Sequence, residues 1–139
     1  MPFVSVKVAG PLDGAQVTRL RQGITDLMAE MLGKRADLTA VLIEPVAGEW
    51  AIGAEPVARA AHLDATVTLG TNTAPEKARF IAAAHRLLAA LLGPDLPLAT
   101  YVVVSEVPAE SWGYAGRTQA ERAQERSQGR DAGSGSVPA

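Results

Sequence analysis

Residues 4–8 alternate: Val4, Val6 and Val8 fall on one side of an extended chain, Ser5 and Lys7 on the other. That is the period-two pattern of a strand with one buried face. Gly10-Pro11 ends it. Asp13 and Gln16 stand at capping-box spacing and predict a helix start. Val17, Leu20, Ile24, Leu27, Met28, Met31 and Leu32 then recur at intervals of three and four, one apolar stripe that Gly33 closes. A second strand is predicted at about 39–45, followed by the glycine-bearing stretch Gly48–Gly53.

The order then repeats. Ala65, Val67 and Leu69 alternate with Thr66 and Thr68 as a strand, and Thr73-Ala74-Pro75-Glu76 is a second capping box with proline in the first turn. Phe80, Ile81, Ala84, Leu87, Leu88, Leu91 and Leu92 form the next stripe, stopped by Gly93. The β-branched run Tyr101–Val107 reads as a buried strand, and Ser111-Trp112-Gly113-Tyr114-Ala115-Gly116 comes after it. The halves align with a shift of about 60 to 62 residues, pairing Gly33 with Gly93, Trp50 with Trp112 and Ile52 with Tyr114. Each copy is β-α-β, so its two strands are expected to be parallel with a right-handed crossover. The expected fold class is therefore α+β: tandem β-α-β units (about 2–58 and 63–118) forming a four-stranded sheet with two helices on one face. The opposite face would stay partly apolar, which argues for an oligomer. From 119 to 139 the chain turns charged and then Gly/Ser-rich. Glu121–Gln128 is expected to be a frayed helical turn at most, and the remainder disordered.

Composition narrows the chemistry. The chain has 139 residues, a net charge of −2 and 47% hydrophobic residues, the balance of a globular core rather than of a basic nucleic-acid-binding surface. With no cysteine and only His62 and His85, it offers no disulfide, no thiolate nucleophile and no Cys-ligated or multi-His metal centre. Nothing calls for a cofactor. The longest apolar runs fall far short of the roughly 20 residues that span a bilayer, and the start lacks the features of a signal peptide, so a cytoplasmic protein is expected.

Pro2 is the residue that can carry chemistry. Initiator methionine is commonly removed before proline, and the new terminus would be a free secondary amine. Ordinary α-amino groups titrate near about 7.7–8.0, and a proline amine is intrinsically more basic. Burial disfavours the charged form, and a neutral amine can take a proton from oxygen or carbon or attack a carbonyl.

Pro2-Phe3-Val4-Ser5-Val6, the first helix through Met31-Leu32-Gly33 and Glu44-Pro45-Val46-Ala47-Gly48-Glu49-Trp50-Ala51-Ile52-Gly53, repeated as Ser105–Tyr114, resemble the tautomerase superfamily. The smallest member of that superfamily is 4-oxalocrotonate tautomerase. The resemblance covers residues 2 to about 118 and is to the fused form, in which two short units share one chain and which assembles as a trimer. It implies Pro2 as catalytic base in enol–keto conversion of a small 2-oxo or enol acid, one such amine per chain, and a homotrimer. The place of Pro2 in the second unit falls near Leu63.

The resemblance also implies that Trp50 and Trp112 are the hairpin aromatics that pack over the proline of a neighbouring chain. Where the family holds substrate carboxylates with arginines, this chain has Pro11 or Leu12 and Thr39 in the first unit, and Asn72 and Tyr101 in the second. Asn72 and Tyr101 are thus candidates to hydrogen-bond an enol or carbonyl oxygen, and Arg117, just after the second hairpin, is a candidate for the missing cation. Structural roles are the alternative for each: a turn residue, a sheet filler and a surface charge. Lys7, His62 and His85 read as surface or structural residues. Two functional readings remain, the tautomerase and a non-catalytic oligomeric binding protein that has lost the arginines. Related proline-dependent hydration, dehalogenation or decarboxylation needs a water-activating carboxylate or arginines, for which no convincing set is present.

Overall fold

The computed structural model describes residues 2–132. The Gly/Ser-rich segment 133–139, expected to be disordered, lies outside the described residues. Strand β1 (Phe3–Ala9) leads into helix α1 (Gly14–Leu32), a short 3-10 turn at Ala36–Leu38 and strand β2 (Ala40–Pro45). A hairpin of β3 (Ala51–Ile52) and β4 (Glu55–Pro56) connects to β5 (Ala60–Thr68), helix α2 (Ala74–Leu92) and β6 (Tyr101–Val107). A second hairpin, β7 (Gly113–Tyr114) and β8 (Arg117–Thr118), precedes helix α3 (Gln119–Ala132).

Both capping boxes form as the sequence predicts. The Asp13 carboxylate accepts from the Gln16 amide at 2.7 Å while Gln16 Oε1 accepts from the Asp13 amide at 2.9 Å. Thr73 and Glu76 exchange the same pair of bonds. At the end of α1, Gly33 adopts φ 67°, which suits glycine, and the Lys34 amide reaches back to the Met28 carbonyl at 3.0 Å.

The sheet order is β2-β1-β5-β6. β1 is parallel to β2 and β5 to β6, as expected for two β-α-β units, and β1 and β5 join them antiparallel at the centre. Val4, Val6 and Val8 of β1 and Leu63, Ala65 and Val67 of β5 are buried under the helices. Leu20, Ile24 and Met28 of α1 meet Phe80, Ala84 and Leu88 of α2 above them in a single core. The opposite face of the sheet carries Phe3, Leu42 and Tyr101, all exposed, together with Lys7, His62, Asp64 and Ser105. No described helix is long and apolar enough to cross a membrane.

Four local expectations are corrected. β5 begins at Ala60, five residues before the alternation is visible, because Ala60 and Ala61 are both buried and too small to mark a face. Leu69 lies past the end of β5 and is exposed. On α2, Ile81 is turned off the apolar stripe and Ala83 takes its place on the core side, where the 3.6-residue period puts it. The charged segment from Gln119 forms a helix of 14 residues rather than a frayed turn. A third capping box starts it, with the Glu121 amide donating to Thr118 Oγ1 at 3.0 Å and the Thr118 amide to Glu121 Oε1 at 3.1 Å. Arg117 pairs with Glu121 and Glu125 along the first two turns.

The phase of α2 has a measurable consequence. Phe80→Ala is expected to cost about 3–5 kcal/mol through lost burial and a residual cavity, and Ile81→Ala less than about 1 kcal/mol. The shift in denaturant midpoint of each variant, at unchanged m value, checks this.

Candidate active site at the start of the first strand

The antiparallel pairing of β1 with β5 sets Phe3 opposite Thr66, so the start of β1 lies beside the end of β5. β6 runs parallel to β5 and ends at the same edge. From Val107 the chain passes through a 3-10 turn at Ala109–Ser111 and returns as the second hairpin over the ends of β5 and β1. The Trp112 indole N–H donates to Thr68 Oγ1 at 3.2 Å, which orients the ring. Gly113 can carry no side chain, because a Cβ there would collide with the Arg117 carbonyl of the facing strand. Ala115 and Gly116, both at positive φ, make the two-residue turn between β7 and β8.

A cavity of about 300 Å³ results. Pro2 and Phe3 come from the start of β1, Leu38 and Ala40 from the approach to β2, and Trp112, Gly113, Tyr114 and Gln119 from the second hairpin and the first residue of α3. Pro2 itself is buried, and its carbonyl accepts from the Ala40 amide at 3.2 Å, which ties the start of β1 to its parallel neighbour. No lining residue is ionisable apart from the Tyr114 phenol.

Pro2 and Trp112 of the same chain therefore line one cavity, where the resemblance implied the tryptophan of a neighbouring chain; in a fused chain the second unit stands where a neighbour would. The other candidates lie outside this cavity within one chain. Trp50 belongs to the first hairpin, at the far end of the sheet, where its carbonyl accepts from the Val57 amide at 2.8 Å. Asn72 donates from Nδ2 to the Leu32 carbonyl at 2.9 Å and so caps α1. Tyr101 opens β6, paired with His62 at the end remote from Pro2, and is 67% exposed. Arg117 lines a separate shallow hollow on the hairpin, its charge engaged by Glu121 and Glu125. Lys7 and His62 sit on the open sheet face and His85 on the outer surface of α2. No cluster of three or more potential metal-ligating side chains occurs among the described residues.

The duplication explains why this end of the sheet differs from the other. The counterpart of Pro2, near Leu63, falls inside β5 rather than at a chain terminus. The chain there continues back into Arg59, whose guanidinium donates to the carbonyls of Leu92 at 3.0 Å and Pro11 at 2.6 Å. The second end is closed by these bonds.

Gln119, together with Phe3, Leu38 and Tyr114, is a cavity residue that sequence reasoning missed. Its side chain is 7% exposed, and its Nε2 has no hydrogen-bond partner among the described residues; Arg122 Nε is likewise unpartnered. Arg122, however, is otherwise engaged: its guanidinium lies 3.7 Å from the Tyr114 ring centroid and donates to the Tyr114 carbonyl at 3.0 Å. A buried amide without a partner costs about 1–3 kcal/mol, so Gln119 is not explained by stability. The sequence signal was the duplication itself. The Gln119 amide donates to the Trp112 carbonyl as the Val57 amide does to that of Trp50, which makes Val57 the counterpart of Gln119.

An ion pair fastens the strand that leads into the hairpin. Lys77 Nζ and Glu106 Oε1 are 2.8 Å apart, joining α2 to the last residues of β6. The Lys77 hydrogen bond holds the Glu106 carboxyl below its ordinary range, while burial pushes the nearby Lys34 ammonium down.

No protein-family model and no curated protein matches the sequence. Solved structures match the fold. Pt0534, solved after inactivation by 2-oxo-3-pentynoate, superposes with a TM-score of 0.77 at 16% identity, covering 87% of this chain and 98% of that one. A fused 4-OT solved as a symmetric trimer gives 0.75 at 20% identity over 85% and 96% of the two chains. A macrophage migration inhibitory factor-like protein from Entamoeba histolytica gives 0.69 at 15% identity over 84% and 97%. The chain thus has the tautomerase-like fold in its fused, two-unit form.

Because the folded-state Glu106 is more acidic than the unfolded one, its contribution to stability is present above the ordinary carboxylate range and is lost as pH falls below that range through the folded-state value. Thermal midpoints measured from neutrality down to about pH 3 are expected to fall less steeply in Glu106→Gln than in the parent protein. Parallel curves would show that the pair adds no pH-dependent stability.

Proposed function

We propose that the protein is a cytoplasmic tautomerase that uses the Pro2 nitrogen, freed by removal of Met1, as general base in the enol–keto conversion of a small 2-oxo or enol acid. The observation that carries this reading is the placement of Pro2 in an apolar cavity under Trp112. Such a lining disfavours the ammonium form of an amine and leaves it able to accept a proton. The nitrogen takes the enol O–H proton as the carbonyl forms, and returns it to the carbon that loses its double bond. The reaction is an isomerisation and needs no co-reactant. Hydration, dehalogenation and decarboxylation are less well supported, since no carboxylate lines the cavity to activate water.

A homotrimer fits the open sheet face, with Phe3, Leu42 and Tyr101 exposed on it and the outer edges of β2 and β6 unpaired within the chain. Two fused 4-OT proteins of the same fold were solved as trimers, one symmetric and one asymmetric. Absence of a lysine or arginine from the cavity lining favours the second reading, a binding protein without turnover.

Two experiments separate the readings. The purified protein is expected to ketonise phenylenolpyruvate, and Pro2→Ala to lower the rate by at least about 100-fold; equal rates would sink the proline mechanism. Intact-mass measurement is expected to find Met1 removed, and a retained methionine would block the amine and favour the binding protein. Light scattering on the eluting protein is expected to give three times the 14.5 kDa chain mass.

A further inference from the structure

We infer that Gln119 is the oxygen-binding group of the Pro2 cavity, and that the cavity selects a compound with an apolar, aromatic body and a single polar head over a dicarboxylate. The inference deepens the proposed tautomerase by naming its substrate class. Its core, ligand binding through Gln119, does not depend on turnover.

Three observations converge on Gln119. It lines the cavity, it is 7% exposed, and its buried Nε2 makes no hydrogen bond to any described residue. A carboxamide has a donor and an acceptor end that exchange on a half-turn of its last torsion, and no bond at the buried end resists that turn. The group can therefore present N–H to a carbonyl, enolate or carboxylate oxygen, or C=O to an enol hydroxyl.

The duplication supplies an internal control. At the other end of the sheet the corresponding hairpin position is Val57, and there the chain runs on through Arg59 into β5 and leaves no amine. The polar residue thus occurs in the copy of the hairpin that covers Pro2. Backbone geometry does not require it, since Val57 makes the same main-chain bond.

The rest of the lining sets the ligand class. Phe3, Leu38, Trp112 and Tyr114 offer an apolar, largely aromatic wall. A volume of about 300 Å³ lies at the small end for organic ligands. A dicarboxylate would bring two charges to a site with no lysine or arginine in its lining, and Arg117 and Arg122, on the adjoining hairpin and helix, are engaged by Glu121 and Glu125 and by Tyr114. Burying either carboxylate there is unfavourable, whereas one polar head needs only Gln119 and the mouth of the cavity.

The test uses three unreactive probes titrated into isotope-labelled full-length protein: 3-phenylpropanamide, 3-phenylpropanoate and adipate. The Gln119 side-chain amide and Trp112 indole N–H resonances report the cavity directly. The phenyl compounds are expected to bind in the millimolar range or tighter and to shift both signals, with adipate at least about tenfold weaker. Gln119→Leu is expected to weaken the phenyl probes by about tenfold. Gln119→Met, closer in shape, is expected to do the same and guards against a folding defect in the first variant. Adipate binding as tightly as the phenyl probes, no binding of any probe, a Gln119 signal unmoved by a bound probe, or unchanged affinity in both variants would overturn the inference. Binding through Gln119 in a protein that fails to ketonise phenylenolpyruvate would remove the proline base and leave this inference standing.

Discussion

The antiparallel pairing of β1 with β5 is the constraint on which the rest depends. Within each β-α-β unit the strands are parallel and both start at the same edge; only the central pairing reverses one unit against the other. It buries the valines of β1 beside Leu63, Ala65 and Val67 under one helical layer, so neither unit has to complete a core alone. The same pairing brings the start of β1 to the end of β5 and β6, where the second hairpin begins. Pro2 and Trp112, about 110 residues apart in sequence, become neighbours through strand register, with the Trp112–Thr68 hydrogen bond as the last fastening.

Two copies of one unit arranged this way make two equivalent ends, and the chain treats them differently. At one end lie a buried proline that chain trimming can convert to an amine, an indole held in place and a carboxamide whose Nε2 has no partner among the described residues. At the other the chain runs on without interruption from the first hairpin into β5, and Arg59 spends its donors on the carbonyls of Pro11 and Leu92. A strand interior cannot offer a basic nitrogen, because its amide lone pair is delocalised into the peptide bond. Fusion of two units therefore removes one amine for purely covalent reasons. The freed end is then available for structural hydrogen bonding.

Much of this was legible in the sequence, because the signals are local. Val4-Val6-Val8 announces a half-buried strand, the two capping boxes fix the starts of α1 and α2, and the Trp50–Trp112 correspondence reveals the duplication. What escaped lies where local signals are weak or point elsewhere. Ala60 and Ala61 are too small to show which face is buried, so the pattern places the start of β5 too late. Asn72 satisfies a helix carbonyl, Tyr101 lies at the remote end and Arg117, on β8, pairs with carboxylates of the helix that follows it, facts that depend on three-dimensional partners. Gln119 was hidden by the composition of the residues after it. That charged run reads as tail, although Thr118 and Glu121 carry the same capping spacing as the starts of α1 and α2.

The difference between Gln119 and an arginine is a difference in what the cavity can hold. A guanidinium offers a permanent charge and a planar fork, and its attraction for a carboxylate survives a wide range of poses. A carboxamide offers one donor and one acceptor with no net charge, and its contribution depends on desolvation and on geometry. A site built on the latter must take most of its affinity from apolar contact, which is what Phe3, Leu38, Trp112 and Tyr114 supply. An apolar lining of this kind disfavours a charged amine and a doubly charged ligand for the same reason, the cost of removing charge from water. Where a charged clamp would suit a dicarboxylate, a lining with Gln119 as its one side-chain amide among apolar walls suits a ligand with a single polar head.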